Sequence, residues 1–376
     1  MRLKLLTPFL FLSSVFLMSC DSDDDGGPSL QVPDTYEFTR DGQSSVFYGG
    51  QIDRLNQTSE IKEYLRKGDR KEITLDAETL LAMYENAGGD GDGNFSFTSD
   101  RQLKDKTFPA DVAFFEDLFA KAESASAAGL DASDGTAGFL TRANGSTILV
   151  DANGHEFTQT FEKGIMGSVF LHQIFNVYMT DERVGDNVEN TAMDGTNNYT
   201  PMEHHWDEAF GYWGVPVDFP GNKEGLRFFA SYSNSRDPFI GSNDMLMDAF
   251  LTGRAAIVAK NYAVKNEQRE IIYQGFEMIA AASAVHYLNT VKELLAQGDA
   301  SLGEAFHSLS EGYGFLRALR ISPKKKISNA TLTEILNTHV GENFWDLRET
   351  DLSGLDKAID LLVEAYPELA DIKDAL

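Results

Sequence analysis

The sequence predicts a mainly α-helical fold. Apolar residues recur at helical spacing through most of the chain, whereas alternating strand patterns are few. Helical segments longer than twenty residues, among them 156–179 and 267–296, are typical of the long helices in bundles. Gly164 and Gly167 in the first segment, and the alanines at 280–282 in the second, indicate faces where helices pack closely, since an interior glycine costs about 1 kcal/mol.

The N-terminal half is predicted to begin with a small irregular region and to continue with amphipathic helices. Residues 46–50 resemble a short strand or turn, and Asp76 is the expected N-cap of the helix that follows it. Pro109 suits the first turn of another helix, because proline lacks the N–H that a helix start leaves unused. The helices are expected over 51–66, 77–86, 109–128 and 156–179, with a hairpin around 139–150.

The C-terminal half is predicted to be almost wholly helical. A polar loop over 185–198 precedes it, and the segments that follow carry apolar residues three and four positions apart. The expected helices are 226–233, 243–266, 267–296, 302–319, 331–339 and 353–366.

The first nineteen residues have the features of a secretory signal peptide. Arg2 and Lys4 precede an apolar run over 5–17, which is too short to span a bilayer. The run ends at residues 17–20, Leu-Met-Ser-Cys, which resembles a bacterial lipobox. We therefore predict cleavage before Cys20, lipidation of this cysteine, and attachment to the outer membrane through the lipid.

An acidic tether is predicted over residues 20–34. Four aspartates fall within 21–25, and such a run behind a lipidated cysteine resembles a surface-export signal of Bacteroidetes lipoproteins. The predicted location is the cell surface, with a periplasm-facing protein as the alternative. The formal net charge of −27 argues against nucleic-acid partners. Cys20 is the only cysteine, so no disulfide can form within the chain.

Residues 202–214 carry the candidate site. In a helix, His205 lies three positions and His204 four positions before Glu208, and either spacing brings imidazole and carboxylate onto one face. Such a pair can ligate a metal, because neutral imidazole and carboxylate both suit Fe, Zn or Mn. It can equally be a hydrogen-bonded pair that holds two helices together.

A second copy of this motif occurs near the C-terminus. His307 and Glu311 repeat the spacing of His204 and Glu208, and both copies continue with aromatic, glycine, aromatic. His205 has no counterpart, because Ser308 occupies its position. We predict a single domain over 35–376, built from two related halves at about 35–225 and 226–376.

Three strings in the chain resemble a family of Bacteroidetes lipoproteins that share domain of unknown function 4856. They are residues 203–212, 163–167 and 310–315. That family is similar to the imelysin-like proteins, whose duplicated helical bundles are linked to iron acquisition. Imelysins carry a Gly-x-His-x-x-Glu motif; His205 and Glu208 match it, while Glu203 stands at the glycine.

The resemblance implies a non-catalytic envelope protein of imelysin-like fold that acts in iron or other metal acquisition. It would bind a divalent metal or iron, or dock to an outer-membrane uptake complex. The expected ligands are His205 and Glu208, then His204, with His307 and Glu311 after them. The alternatives are a metal-dependent peptidase or hydrolase using His205 and Glu208, and a surface module that binds glycans or proteins.

Sequence signatures for catalysis are incomplete. A zincin needs His-Glu-x-x-His, and the segment 155–159 starts correctly but ends in glutamine. We therefore predict no catalytic residues. A glycan- or protein-binding surface would draw on exposed aromatic side chains, for which the candidates are Trp206, Phe210, Tyr212 and Trp213.

Overall fold

The prediction of a mainly helical chain is confirmed by a computed structural model, which describes residues 30–376. The predicted signal peptide, Cys20 and most of the tether lie outside these residues. The helices are α1 (Gly49–Asp69), α2 (Ala77–Glu85), α3 (Val112–Ala128), α4 (Phe157–Ile165), α5 (Asp181–Val184), α6 (Pro201–Gly211), α7 (Phe229–Ile240), α8 (Ser242–Ala259), α9 (Tyr262–Leu295), α10 (Leu302–Leu319), α11 (Asn329–Glu334) and α12 (Ser353–Ala365).

Strands are confined to two small antiparallel hairpins within the described residues. The first joins β1 (Thr39–Arg40) to β2 (Gln43–Ser44), and the second joins β3 (Gly138–Thr141) to β4 (Thr147–Val150). The second hairpin confirms the prediction around 139–150. The strand alternative at 46–50 is wrong, because the chain already enters α1 at Gly49.

The long helix α9 is the centre of the packing. It lies against α8 and α10 along much of its length and also contacts α7 and α12. Helix α10 packs in turn on α4, which contacts α1. Alanines 280–282 of α9 are fully buried, as expected for a face where helices approach closely.

The segment predicted as one helix over 156–179 is helical throughout but changes its hydrogen-bonding pattern. Regular α4 ends at Ile165, and wider π-helical turns follow over Met166–Leu171 and Ile174–Tyr178. The predicted helix over 243–266 is instead divided. Lys260 has a left-handed φ of 58°, which ends α8, and the side chain of Asn261 then accepts from Val264 N–H to begin α9.

Local capping chemistry explains two helix starts. Asp76 accepts hydrogen bonds from the N–H groups of Glu78 and Thr79, which confirms the predicted N-cap. At α6, Thr200 and Glu203 form a reciprocal capping box. Glu203 therefore has a structural role at the start of α6.

A buried ion cluster fixes α6 against α8. Arg254 of α8 is fully buried; its Nε lies 2.8 Å from Asp207 Oδ1 and its Nη1 lies 3.1 Å from Glu203 Oε1. Tyr36 donates to Asp207, and Arg254 donates to the Ser45 carbonyl. Burial raises the pKa of Asp207 to about 6, although the charge of Arg254 opposes the shift.

The four aromatic residues of the motif form core. Trp206, Tyr212 and Trp213 are fully buried and Phe210 is 1% exposed. Trp206 donates its indole N–H to the Phe250 carbonyl. These rings consequently do not form an open groove.

The glycine between the two aromatic residues allows close helix contact in both copies. A Cβ on Gly211 would lie 2.8 Å from Tyr48 Cβ of the segment entering α1, and one on Gly314 would lie 2.3 Å from Lys163 Cβ of α4. Gly167 has a similar role, because its Cβ would lie 3.0 Å from Ala318 Cβ.

No helix among residues 30–376 has both the length and the apolar character needed to cross a membrane.

Replacing Gly314 by alanine is expected to destabilise the protein by about 1–3 kcal/mol, because the new methyl group overlaps the α4 side chain. Chemical unfolding of the two proteins measures the difference. Gly49→Ala is the matched control, since its nearest neighbour is the half-exposed ring of Phe47. Equal stability of Gly314→Ala and the wild type would show that α4 and α10 do not depend on this contact.

Candidate functional site

The two copies of the motif place their shared histidine and glutamate in the same relation. On α6, His204 Nε2 lies 3.8 Å from Glu208 Oε1, and on α10, His307 Nε2 lies 3.8 Å from Glu311 Oε2. This spacing follows from their positions one helical turn apart. The distance is too long for a direct hydrogen bond.

The other ring nitrogen of each shared histidine donates to an oxygen. His204 Nδ1 donates to the Phe47 carbonyl at 3.0 Å, and His307 Nδ1 donates to Glu156 Oε2 at 2.6 Å. Such a bond fixes the ring orientation and directs Nε2 toward the glutamate. The partners differ, however, because one is a neutral carbonyl and the other is a carboxylate.

His205, the first expected ligand, has both ring nitrogens engaged. Its Nδ1 donates to Glu208 Oε2 at 3.0 Å, and its Nε2 accepts from Arg183 at 3.3 Å. Gln51 of α1 donates to Glu208 Oε1 at 3.0 Å. The geometry thus favours His204 over His205 as the imidazole whose lone pair remains available.

The charge states of the first pair suit a cation between them. Burial lowers the pKa of His204, so its Nε2 carries a lone pair at neutral pH. Burial alone would raise the pKa of Glu208, but hydrogen bonding from His205 and the nearby histidines hold it below its usual value. The two side chains are 20% and 17% exposed, so both remain partly accessible to solvent.

The second pair belongs to a network of buried charges. Lys163 of α4 lies 3.0 Å from Glu311 and 2.8 Å from Glu162, and Glu162 also contacts Lys62 of α1 at 2.5 Å. Burial disfavours ionised Glu162, but Lys163 and Lys62 outweigh it and hold its pKa at about 2. Tyr232 of α7 donates to Glu311 at 2.9 Å.

The pKa of His307 shifts in the opposite direction to that of His204. Burial lowers its pKa, but the hydrogen bond to Glu156 and the charge of Glu311 outweigh burial and raise it. A protonated imidazole has no lone pair for a metal. The first copy is therefore the better metal pair, and the second is a charged network.

The described residues contain no group of three or more Cys, His, Asp or Glu side chains suited to hold a metal ion. The pair on α6 can supply two ligands, and an ion held there would complete its coordination from outside the chain. A hydrolytic zinc site needs three protein ligands and an open position. No complete site of that kind occurs in residues 30–376.

Several residues of the second network escaped the sequence analysis. Lys62, Glu156, Glu162 and Lys163 come from segments far from α10, and the predicted motif contains none of them. One signal was present: Glu162 and Lys163 are the only acidic or basic side chains, histidine aside, between positions 157 and 180. Charged residues in such a place are rarely buried without partners.

The fold and this site define a helical protein with a duplicated His–Glu element and a buried charge network. The chain belongs to the family described as Domain of unknown function (DUF4856), whose model matches residues 33–362. No curated protein and no solved structure shows significant similarity to it.

The buried carboxyl of Asp69 makes stability depend on pH. It accepts from Leu149 N and Thr158 Oγ1, and burial, together with the charge of Glu156, raises its pKa to about 7. The unfolded value is about 3.9, so the folded state binds the proton more tightly. Stability from this group is complete below pH 4 and is lost as the pH rises through 7.

Replacing Asp69 by asparagine lets the amide oxygen accept from Leu149 N–H and the amide nitrogen donate to Thr158 Oγ1, and it removes the titration. We expect the variant to gain stability relative to the wild type as pH rises from 4 to 8, by up to about 4 kcal/mol. Unfolding in urea at several pH values measures this difference. Asp105→Asn, at an exposed position, is the control: its difference in unfolding free energy from the wild type should be the same at every pH. If the difference for Asp69→Asn is also the same at every pH, the proposed titration of the buried carboxyl is excluded.

Proposed function

We propose that the protein is a non-catalytic, lipid-anchored component of the cell envelope that acts in the acquisition of iron or another metal. It would bind the metal itself or dock to an outer-membrane uptake complex. The single observation that carries the metal role is the His204–Glu208 pair. The lipobox-like segment ending at Cys20 supports the location, and the resemblance to imelysin-like proteins supports the link to iron.

The geometry of the pair is compatible with a shared ion. Metal–nitrogen and metal–oxygen bonds at such sites are about 2.0–2.2 Å long, so two ligand atoms of one ion stand no more than about 4.4 Å apart. The observed 3.8 Å falls within that limit. A lone pair and an ionised carboxylate that face each other repel until a cation separates them.

The surroundings favour a metal that arrives with ligands of its own. Two protein ligands leave most coordination positions for water or a chelator. Arg183, which donates to His205, places a positive charge beside the pair. That charge disfavours a bare cation but suits the oxygen atoms of an anionic chelator.

The predicted anchor would bring this pair to the cell envelope. Lipidation of Cys20 would attach the chain to the outer membrane, and the acidic run behind it favours the outward face. A tether between lipid and fold lets the protein reach a neighbouring transporter.

The metal role is tested by titrating the full chain in detergent with Fe²⁺ or Zn²⁺ under calorimetry. Glu208→Gln and His204→Ala should each weaken binding by at least about tenfold, since each removes a ligand. His205→Ala should have a smaller effect, because its nitrogens already have partners.

A matched control exists in His339 and Glu334, which form a partly exposed pair at 3.1 Å outside both copies of the motif. His339→Ala should bind metal like the wild type. The metal role is excluded if the wild type takes up no ion, or if Glu208→Gln binds as tightly as the wild type.

Replacing Cys20 by alanine should release the protein from the membrane fraction, because the chain loses its lipid. Fractionation of cells, with labelling by a fatty-acid analogue, measures this. The label should appear on the wild type only. Retention of Cys20→Ala in the outer membrane would contradict lipid anchoring.

A further inference from the structure

A polar cavity of about 560 Å³ lies between α1, α4, α7 and α10. His307 and Glu311 of the second motif copy form part of its wall, whereas the pair on α6 does not. The cavity is large enough for a small organic molecule. The cationic residues that line it are Lys62, Arg66, Arg142, Lys163, Arg227 and His307.

The wall carries excess positive charge in a chain whose net charge is −27. Five lysine and arginine side chains face three glutamates, and those glutamates are already neutralised. Glu162 lies between two lysines, Glu311 lies 3.0 Å from Lys163, and Glu63 lies 2.7 Å from Arg70 outside the wall. Arg142 pairs in turn with Glu304 at 3.4 Å, which leaves Arg66 and Arg227 as the cations of this wall that form no ion pair within residues 30–376.

Arg227 has no carboxylate partner among residues 30–376. Its guanidinium donates to the neutral Asn56 Oδ1 at 2.5 Å, and burial lowers the pKa of Arg227 with no acid nearby to oppose the shift. A half-buried guanidinium without a counter-ion is unfavourable. Its planar donors match two oxygens of a carboxylate or phosphate group.

We infer that this cavity binds a small organic oxyanion that carries two or more negative charges on carboxylate or phosphate groups. Arg227 is the principal contact, and Arg66 and Arg142 lie on the same wall. Tyr232 and Ser231 add hydroxyl groups suited to polar substituents of the ligand. This site goes beyond the metal proposal and requires no metal.

Calorimetry on the full chain in detergent tests the site with three probes of different charge. Citrate represents carboxylates, inorganic phosphate represents phosphate groups, and glucose is an uncharged molecule of similar size. Citrate or phosphate should bind and glucose should not, and the stronger anion identifies the group preferred. Binding should weaken as salt rises, because the contacts are ionic.

Arg227→Gln should weaken anion binding by about tenfold or more, since a charge-assisted bidentate contact is lost. Arg227→Lys retains the charge, so its affinity for the anion should fall between those of Arg227→Gln and the wild type. An intermediate affinity would show that the loss in Arg227→Gln does not come from misfolding. Arg348→Gln is the matched control, because it breaks an exposed pair with Asp299 outside the cavity.

The outcomes separate this inference from the metal role. His204→Ala should keep anion binding in full even though it loses metal. The cavity site is overturned if neither anion binds at millimolar concentration, if glucose binds equally, or if Arg227→Gln and Arg348→Gln have the same effect.

Discussion

The architecture around the motif depends on the burial of one guanidinium. Arg254 lies on α8 and its side chain is fully buried. Leaving such a cation unpaired costs about 3–5 kcal/mol. Asp207 and Glu203 of α6 must therefore face it, which fixes the rotation of α6 about its axis. Successive helical residues diverge by about 100°, so this orientation turns His204 and Glu208 to the neighbouring face. The ion pair inside the core thus determines where the candidate ligands lie.

The two copies of the motif share one geometry but differ in their electrostatics. Each histidine directs Nε2 toward a glutamate one turn away at 3.8 Å. The partner of Nδ1 makes the difference: the Phe47 carbonyl leaves His204 neutral, whereas the Glu156 carboxylate favours a charged His307. The partner of one ring nitrogen therefore distinguishes the two pairs: His204–Glu208 suits a cation, whereas His307–Glu311 lies among buried charges.

Local sequence patterns predicted most of the helices and the His–Glu pairs, but not the buried charges around the second pair. The cap at Asp76 and the close contacts of Gly164 and Gly167 follow from rules that involve neighbouring residues only. The contact between Glu156 and His307 joins positions 151 apart, and no local pattern contains it. The π-helical turns after Ile165 were missed for the same reason, because the apolar spacing there continues as in an ordinary helix. Sequence periodicity shows which faces are buried and leaves their partners open.

The contact between Gly314 and Lys163 has a consequence for rigidity. Because α10 has only a hydrogen atom at this position, its backbone presses on the base of the lysine side chain. The stem of Lys163 is consequently enclosed from its first carbon, and its ammonium group is held by Glu162, Gln159 and Glu311. A lysine on a surface loses much rotational entropy when it meets a ligand. In Lys163 this rotational entropy is already lost when the protein folds, so its ammonium group is a fixed positive charge beside the cavity.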